Sequence, residues 1–348
     1  MRIPKGVGLI LKALLTLSLI LSVPGLSGAA TKKEILITGK TMGTFYRIKF
    51  LTRKDVSQSL WEKKVKIRLK EVNARLSMYQ KDSEISRFNR TPENQAFRLS
   101  RDFYAVLLQC RDLHDRSQGA WDGTVKPLVD LWGFGTREKT GQLPVDSDIR
   151  AALAKTGFAR LVLGEKTLTK TVPGITLDLG SIAKGYGVDE IARLFADAGI
   201  PDHLVEIGGE LAGSGRNKKG KPWTVGITKP KKGALNPGLY KVVSLDNAAI
   251  ATSGNYRNFF EYQGKTYSHI INPKTGYPVE NKVVSASVIA PDCTRADGLA
   301  TALMVMDVDA GIALINSLEN TECLIVKKDG DRLIPLRSTN FHRFEKGR

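Results

Sequence analysis

From residue 34 the chain alternates between apolar and polar positions. Glu34-Ile35-Leu36-Ile37 leads to Thr41-Met42-Gly43-Thr44, after which Tyr46, Ile48 and Phe50 alternate with Arg47 and Lys49. Residues 31–50 therefore predict a strand, a turn and a second strand. The period then lengthens. Leu60, Val65, Leu69, Val72 and Leu76 recur at helical spacing behind Ser57 or Ser59, either of which can cap the helix, and the pattern ends at Ser77-Met78-Tyr79. A polar loop, Lys81-Asp82-Ser83-Glu84, precedes Ile85-Ser86-Arg87-Phe88-Asn89. Ser100 caps a further helix (Phe103, Leu107, Cys110, Leu113) closed by Gly119.

Aromatics and glycines crowd residues 120–135, from Ala120-Trp121-Asp122-Gly123-Thr124 to Trp132-Gly133-Phe134-Gly135, predicting a ring-binding wall or a packed loop. Residues 137–148 are charged and contain a proline, as in a surface excursion, and a short helix is expected over 149–157. Further strands are expected at 204–207 (before Gly208-Gly209-Glu210), 223–227, 242–251 and 283–290, with a tight turn at Thr252-Ser253-Gly254-Asn255 and a helix through 302–306. Elements of both kinds mix without regular βαβ alternation and without an internal repeat. That pattern predicts an α+β fold of antiparallel sheets packed with helices rather than a doubly wound sheet.

Chemistry concentrates in residues 177–189, L-D-L-G-S-I-A-K-G-Y-G-V-D. A short apolar strand carrying Asp178 is expected to turn at Gly180-Ser181 into a helix that runs to Gly199. A strand–glycine turn–helix start gathers free backbone N–H groups and the positive dipole end at one point, an anion site. Lys184 falls in the first turn, where a cation gains nothing from the dipole, so its ammonium is expected to face a ligand; a solvated lysine at an ordinary corner is the plainer alternative. Asp297 and Thr301 stand four apart at an expected helix start, so both oxygens project from one face. Oxygen donors without His or Cys suit magnesium before zinc. The competing account is a helix cap with a threonine bonded back to the backbone.

Charge narrows the partners. The chain has 348 residues and a net charge of +18, or +15 without Arg2, Lys5 and Lys12. Those three cations precede or interrupt an apolar run at residues 9–23, and Pro24-Gly25 and Ser27-Gly28-Ala29-Ala30 follow. This is the layout of a secretory signal peptide over residues 1–30, cut near Ala30, with an uncleaved inner-membrane tether as the alternative. Export to the periplasm makes nucleic acid a poor partner and turns the basic surface towards membrane-facing work or phosphate ligands. Cys110, Cys293 and Cys323 are too few and too scattered for a disulfide framework or a zinc site. Gly215-x-x-x-x-Gly220-Lys221 has the outline of a phosphate-binding loop, but Pro222 replaces the hydroxyl residue and no apolar helix follows, which excludes a nucleoside triphosphatase.

Six motifs in one order carry a resemblance: T-M-G-T (41–44), S-M-Y-x-x-D-S-E-I-S-R-F-N (77–89), W-D-G-T-V-x-P-L-V-x-L-W-G-F-G (121–135), D-L-G-S-I-A-K-G-Y (178–186), H-I-I-N-P-K-T-G (269–276) and A-D-G-L-A-T-A-L (296–303). From about residue 39 to 306 the chain resembles the FAD:protein FMN transferases, the ApbE-type flavin transferases. The resemblance implies a single large ApbE-like (T-fold-like) domain over residues 31–340, with a basic tail over 341–348. It implies magnesium-dependent cleavage of FAD, transfer of FMN through its phosphate to a threonine of a membrane-associated or secreted flavoprotein, and release of AMP. Met42, Tyr79, Ala120, Trp121, Asp122, Asp178, Lys184 and Ile271 would line the FAD site. Magnesium would be held by the Ser181 carbonyl, the Asp297 carboxylate and Ala300/Thr301. The rings of Tyr79 and Trp121 would stack on the flavin or adenine, with core packing as the alternative. His269 is the candidate base for the acceptor hydroxyl, since a neutral imidazole titrates near working pH; it could equally orient the N-P-K-T-G turn. Three positions depart from the family pattern: Trp121 for the usual Phe, Gly123 for Pro, and Asn272 for Asp, the last putting some rate in doubt. The other readings left open are a FAD pyrophosphatase, with water in place of the threonine, and a FAD carrier without turnover.

Overall fold

The first strands form in the computed structural model as the alternation predicts. The structure describes residues 32–53, 55–135, 142–231, 238–256 and 258–346, so the signal-peptide reading of residues 1–30 lies outside the described residues, as does part of the excursion after 136. β1 (Lys33–Thr41) and β2 (Thr44–Thr52) pair antiparallel with Thr41 opposite Thr44, leaving Met42-Gly43 as a two-residue turn. Both turn residues have positive φ, 48° and 71°, the geometry that matches the twist of a hairpin. The Asn73 side-chain amide donates to Thr41 Oγ1 at 3.0 Å and ties the turn to α1 (Gln58–Leu76), whose cap is Ser57. α2 (Glu84–Arg90), a helix that the sequence pattern left unassigned, is capped by Ser83. The two-residue β3 (Phe97–Arg98) and α3 (Arg101–Arg116) follow, the latter capped by Ser100 as expected.

The aromatic-glycine run contains one short helix, α4 (Lys126–Leu131), and is followed by α5 (Asp146–Leu153). β4 (Leu161–Gly164) and β5 (Thr167–Lys170) join β3 in a small sheet. The short strand expected from Leu177, carrying Asp178 and ending at the Gly180-Ser181 turn, does not form. The Asn89 side chain takes the place of a strand partner: its Oδ1 accepts from the Leu177 N–H at 2.7 Å, and its amide donates to the Leu177 carbonyl at 2.9 Å. The Asp178 N–H donates to the Gly123 carbonyl. The backbone groups are satisfied without a ladder. α6 (Ala183–Asp197) then begins at the predicted place.

The rest of the chain completes the main sheet. β6 (His203–Ile207), β7 (Glu210–Ser214), the β8 (Trp223–Thr228) and β9 (Leu239–Leu245) hairpin, β10 (Ala248–Gly254), the β11 (Phe259–Tyr262) and β12 (Lys265–Ser268) hairpin and β13 (Val283–Ala290) come first. α7 (Cys293–Val305), α8 (Val308–Asn316), β14 (Glu322–Asp329) and β15 (Arg332–Arg337) follow. The sheet runs β1-β2-β6-β7-β10-β13-β14-β15, every neighbouring pair antiparallel. The expected α+β architecture is present. α1, α6 and α7 cover one face through Val65, Leu69, Ile191, Phe195, Leu299 and Leu303. The other face is sealed by the β8–β9 hairpin and by Phe341, packed on Ile250, Ile289, Leu324 and Val326. Burial on both sides explains the near-continuous apolar reading of β13. Residues 341–346, assigned to a basic tail from the sequence, pack onto the domain: Phe341 is fully buried and the Lys346 N–H donates to the Val242 carbonyl.

Candidate active site

α6 and α7 cross at a glycine. A Cβ at Gly185 would lie 2.3 Å from the Cys293 carbonyl oxygen, so only glycine lets the start of one helix reach the other. The Gly185 N–H then donates to Asp297 Oδ2 at 3.0 Å. One anion at the α6 N-terminus is thus the protein's own carboxylate, a partner that the sequence reading of this corner left out. Asp297 lies in the body of α7, five residues past its true cap, Asp292, so the capping alternative fails for it.

Lys184 faces the same place. Its Nζ is 3.1 Å from Glu210 Oε1 on β7 and 3.8 Å from Asp297 Oδ2. The unfavourable dipole position is offset by two carboxylates rather than by a ligand alone. The lysine side chain keeps 28% exposure while the two acids keep 6% and 4%, so the carboxylates form the closed part of the cluster. Burial alone would pull Lys184 down, but Asp297 and Glu210 hold it above the ordinary lysine range. Burial raises Asp297, against the pull of Lys184 and the Gly185 N–H. Burial and the Asp297 charge push Glu210 up to about 7.

Ser181 and Thr301 border this cluster. Ser181 Oγ accepts from Trp121 Nε1 at 3.0 Å, and Thr301 Oγ1 shares a hydrogen bond with Ser253 Oγ of β10 at 3.1 Å. Thr301 is one turn beyond Asp297 on α7, as its spacing requires. Ala300 is fully buried beside it and offers only a backbone oxygen. Among the described residues no group of three or more His, Cys, Asp or Glu is gathered for a metal. The donor set here is different in kind: one buried carboxylate with hydroxyl and carbonyl oxygens, and a buried Glu210 Oε2 that lacks a hydrogen-bond partner. A hard cation with few protein ligands fits that set.

Stacking by Trp121 is corrected. Its ring is 1% exposed in the main core, edge-on to Phe158, and its contribution to this region is the indole N–H on Ser181. Composition drew attention to the ring, but burial removed its faces. Asp122 is likewise engaged: Oδ1 accepts from the Thr124 N–H and hydroxyl, and Oδ2 from the Phe158 N–H. Ala120 is buried just before them. Tyr79, by contrast, is 84% exposed, leaving its ring free. Met42, at the hairpin turn, lies against Gly187 of α6, where a Cβ would meet its Cε at 2.9 Å. Half-buried Asp178 accepts from the Gly180 N–H at 2.8 Å, shaping the turn into α6. Ile271 is buried in a small cluster with Leu128, Trp132 and Ile149, bridged to Pro278.

His269 follows β12. Its Nδ1 is 2.9 Å from the Asn258 carbonyl, an oxygen that can only accept, so the neutral ring carries its proton there and Nε2 holds the lone pair. Burial, with a smaller push from the Lys184 charge, holds the imidazole below its ordinary value despite that hydrogen bond. Glu210 is the residue that the motifs missed. The only signal in the sequence is an acid directly after a Gly-Gly turn.

The ApbE family model matches residues 42–325. A curated FAD:protein FMN transferase of Vibrio cholerae is 40% identical over 313 residues, covering 90% of this chain and 93% of the relative. That of Escherichia coli K12 is 35% identical, covering 90% of each. Among solved structures, the flavin transferase ApbE from Vibrio cholerae superposes with a TM-score of 0.82 at 37% identity, covering 90% of this chain and 99% of that one. The apo flavinyl transferase ApbE of Pseudomonas stutzeri gives 0.82 at 34%, covering 90% and 97%. With most of its length matched by sequence and by fold, this chain belongs to the ApbE family of FAD:protein FMN transferases and is an enzyme of flavin transfer.

Proposed function

We propose that the enzyme works in the periplasm, where it splits FAD in a magnesium-dependent reaction and joins FMN by a phosphoester to a threonine of an acceptor flavoprotein, a membrane-associated redox subunit, releasing AMP. The observation that carries this reading is the Lys184–Asp297–Glu210 cluster at the start of α6, an ammonium set against two buried carboxylates. Pyrophosphate cleavage spreads charge over phosphoryl oxygens, so fixed cations and positioned donors supply most of the catalysis. Asp297, Thr301 and the Ser181 and Ala300 carbonyls would hold magnesium, which when bound supplies charge neutralisation and Lewis acidity at phosphorus.

The chain's own residues do the rest. Lys184 presents a point charge to the phosphates. Tyr79, with its ring free, stacks on a flavin or adenine plane, and Met42 packs beside it. His269 takes the proton of the threonine hydroxyl on Nε2, the nitrogen left unprotonated by the Asn258 contact. The oxygen so freed forms the new P–O bond, and AMP departs with the electron pair of the old one. The net charge fits phosphate ligands and an acidic membrane-side partner.

Mass spectrometry of a threonine-containing acceptor peptide, incubated with FAD and magnesium, tests this. The expected result is the mass of an FMN phosphoester with an equal amount of AMP, lost in a folded Asp297→Ala variant. AMP and free FMN without an adduct would make the enzyme a pyrophosphatase. Absence of both would leave a FAD carrier.

A further inference from the structure

Glu210 is placed with some care by the fold. It opens β7 after Gly208 and Gly209, whose φ values are 66° and 107°. The Gly208 N–H donates to the Phe45 carbonyl at 2.9 Å, fastening the turn to β2. A Cβ at Gly208 would come within 2.8 Å of Thr44 Cγ2 and 3.3 Å of Glu210 Oε2, so the glycine leaves room for the carboxylate. That side chain is buried; Oε1 meets the Lys184 ammonium, and Oε2 has no hydrogen-bond partner. A buried acid with one oxygen unsatisfied is costly to the fold, and here it also stands near a second buried acid, Asp297, which repels it.

We propose that Glu210 is a positioning residue that holds the Lys184 ammonium off Asp297, keeping that carboxylate available to a cation and the ammonium turned to the phosphates. The assignment rests on the flavin-transfer reading above. The distances give the reason. At 3.1 Å Glu210 takes the ammonium's close contact, while at 3.8 Å Asp297 is only loosely paired. Without the Glu210 charge, Asp297 is the remaining carboxylate that the ammonium touches, and the two close into a direct pair. That pair consumes the carboxylate oxygen a divalent cation needs and withdraws the positive charge from the mouth of the site.

The test is a double-mutant cycle read by FAD binding, followed as flavin fluorescence against magnesium concentration, beside FAD kinetics. Glu210→Gln, nearly isosteric, is expected to raise the half-saturating magnesium about ten-fold, the scale of coupling between residues in contact. It should lower kcat more than it changes KM for FAD. In a Lys184→Met background the same change should shift the magnesium requirement little, because Glu210 acts through the ammonium. Equal shifts in both backgrounds would make Glu210 a plain source of negative field, and an unchanged magnesium requirement would leave it structural; either overturns the proposal. Thermal melts report folding. Should Glu210→Gln not fold, Glu210→Asp, whose carboxylate is one methylene too short to keep the 3.1 Å contact and so releases the ammonium towards Asp297, is expected to raise the requirement as well, and no rise would overturn the proposal. A wild-type protein that releases no AMP from FAD defeats the flavin-transfer reading and this assignment with it. An active wild type with additive variants defeats this assignment alone.

Discussion

At the scale of single residues, protonation decides who can act. His269 has its proton fixed on Nδ1 and its imidazole held below the usual 6.5, so the ring is neutral at working pH. If its neutral form is the base, the acid limb of the FAD-saturated transfer rate falls below pH 6.5. His269→Ala should remove that limb and lower transfer far more than FAD affinity; equal losses in both would make it a binding or structural residue. Stability has the same sign. A folded-state value below the unfolded one means that the unfolded chain binds the proton more tightly, so stability is lost as pH drops below 6.5. Buried His203 is also held below 6.5 and adds to that loss, but it has no place in the rate profile. The places of Lys184 in the first turn of α6 and of Asp297 and Thr301 one turn apart on α7 were legible, because they depend on local spacing. Glu210 was not legible: its partner is 26 positions away, and only the packing of α6 on β7 brings them together. Trp121 was misread for the opposite reason, since residue type shows a ring but not its burial.

At the scale of elements, the departures from the family pattern explain one another. Trp121 is larger than the usual Phe and Gly123 smaller than the usual Pro, and a Cβ at Gly123 would stand 3.0 Å from both the Trp121 Cη2 and the Leu179 Cδ2. The indole has taken the space that a larger residue 123 would fill. Gly123→Ala should therefore destabilise by about 1 kcal/mol through overpacking, and by less in a Trp121→Phe background. Urea unfolding of the four proteins measures the coupling; strictly additive changes would separate the two positions. Asn272 keeps its turn, because its Oδ1 accepts the Lys274 N–H at 2.9 Å as a carboxylate oxygen would. Helix starts were readable from Ser57 and Ser100, whose side chains cap as their position suggested. The stretch from Leu177 to the Gly180 turn was not, because a side-chain amide from Asn89 replaced the ladder that defines a strand, and periodicity carries no trace of such a substitution.

At the scale of the whole molecule, the eight-stranded sheet separates two jobs. Its helix-covered face carries Lys184, Asp297 and the Gly185 crossing, while its other face packs an apolar cluster against the β8–β9 hairpin and Phe341. Alternation within strands makes this separation: Ala249 and Ala251 of β10 point to the helices and Ile250 to the hairpin. The end of the chain then belongs to the fold. Phe341 fills the outer cluster, Glu345 bridges to Val243, and its carboxylate pairs with Lys241 at 3.1 Å and Arg337 at 3.5 Å. Cutting the chain after Asn340 should cost on the order of 3–5 kcal/mol, the scale of emptying a buried Phe site, and lower the urea midpoint accordingly. FAD binding measured below the transition should survive, because the sheet stands between the emptied cluster and α6. If stability were unchanged, the basic end would be a solvated tail after all. If FAD binding were lost while the fold persisted, the two faces would be coupled through the strands that bear both, and the division of labour across the sheet would be wrong.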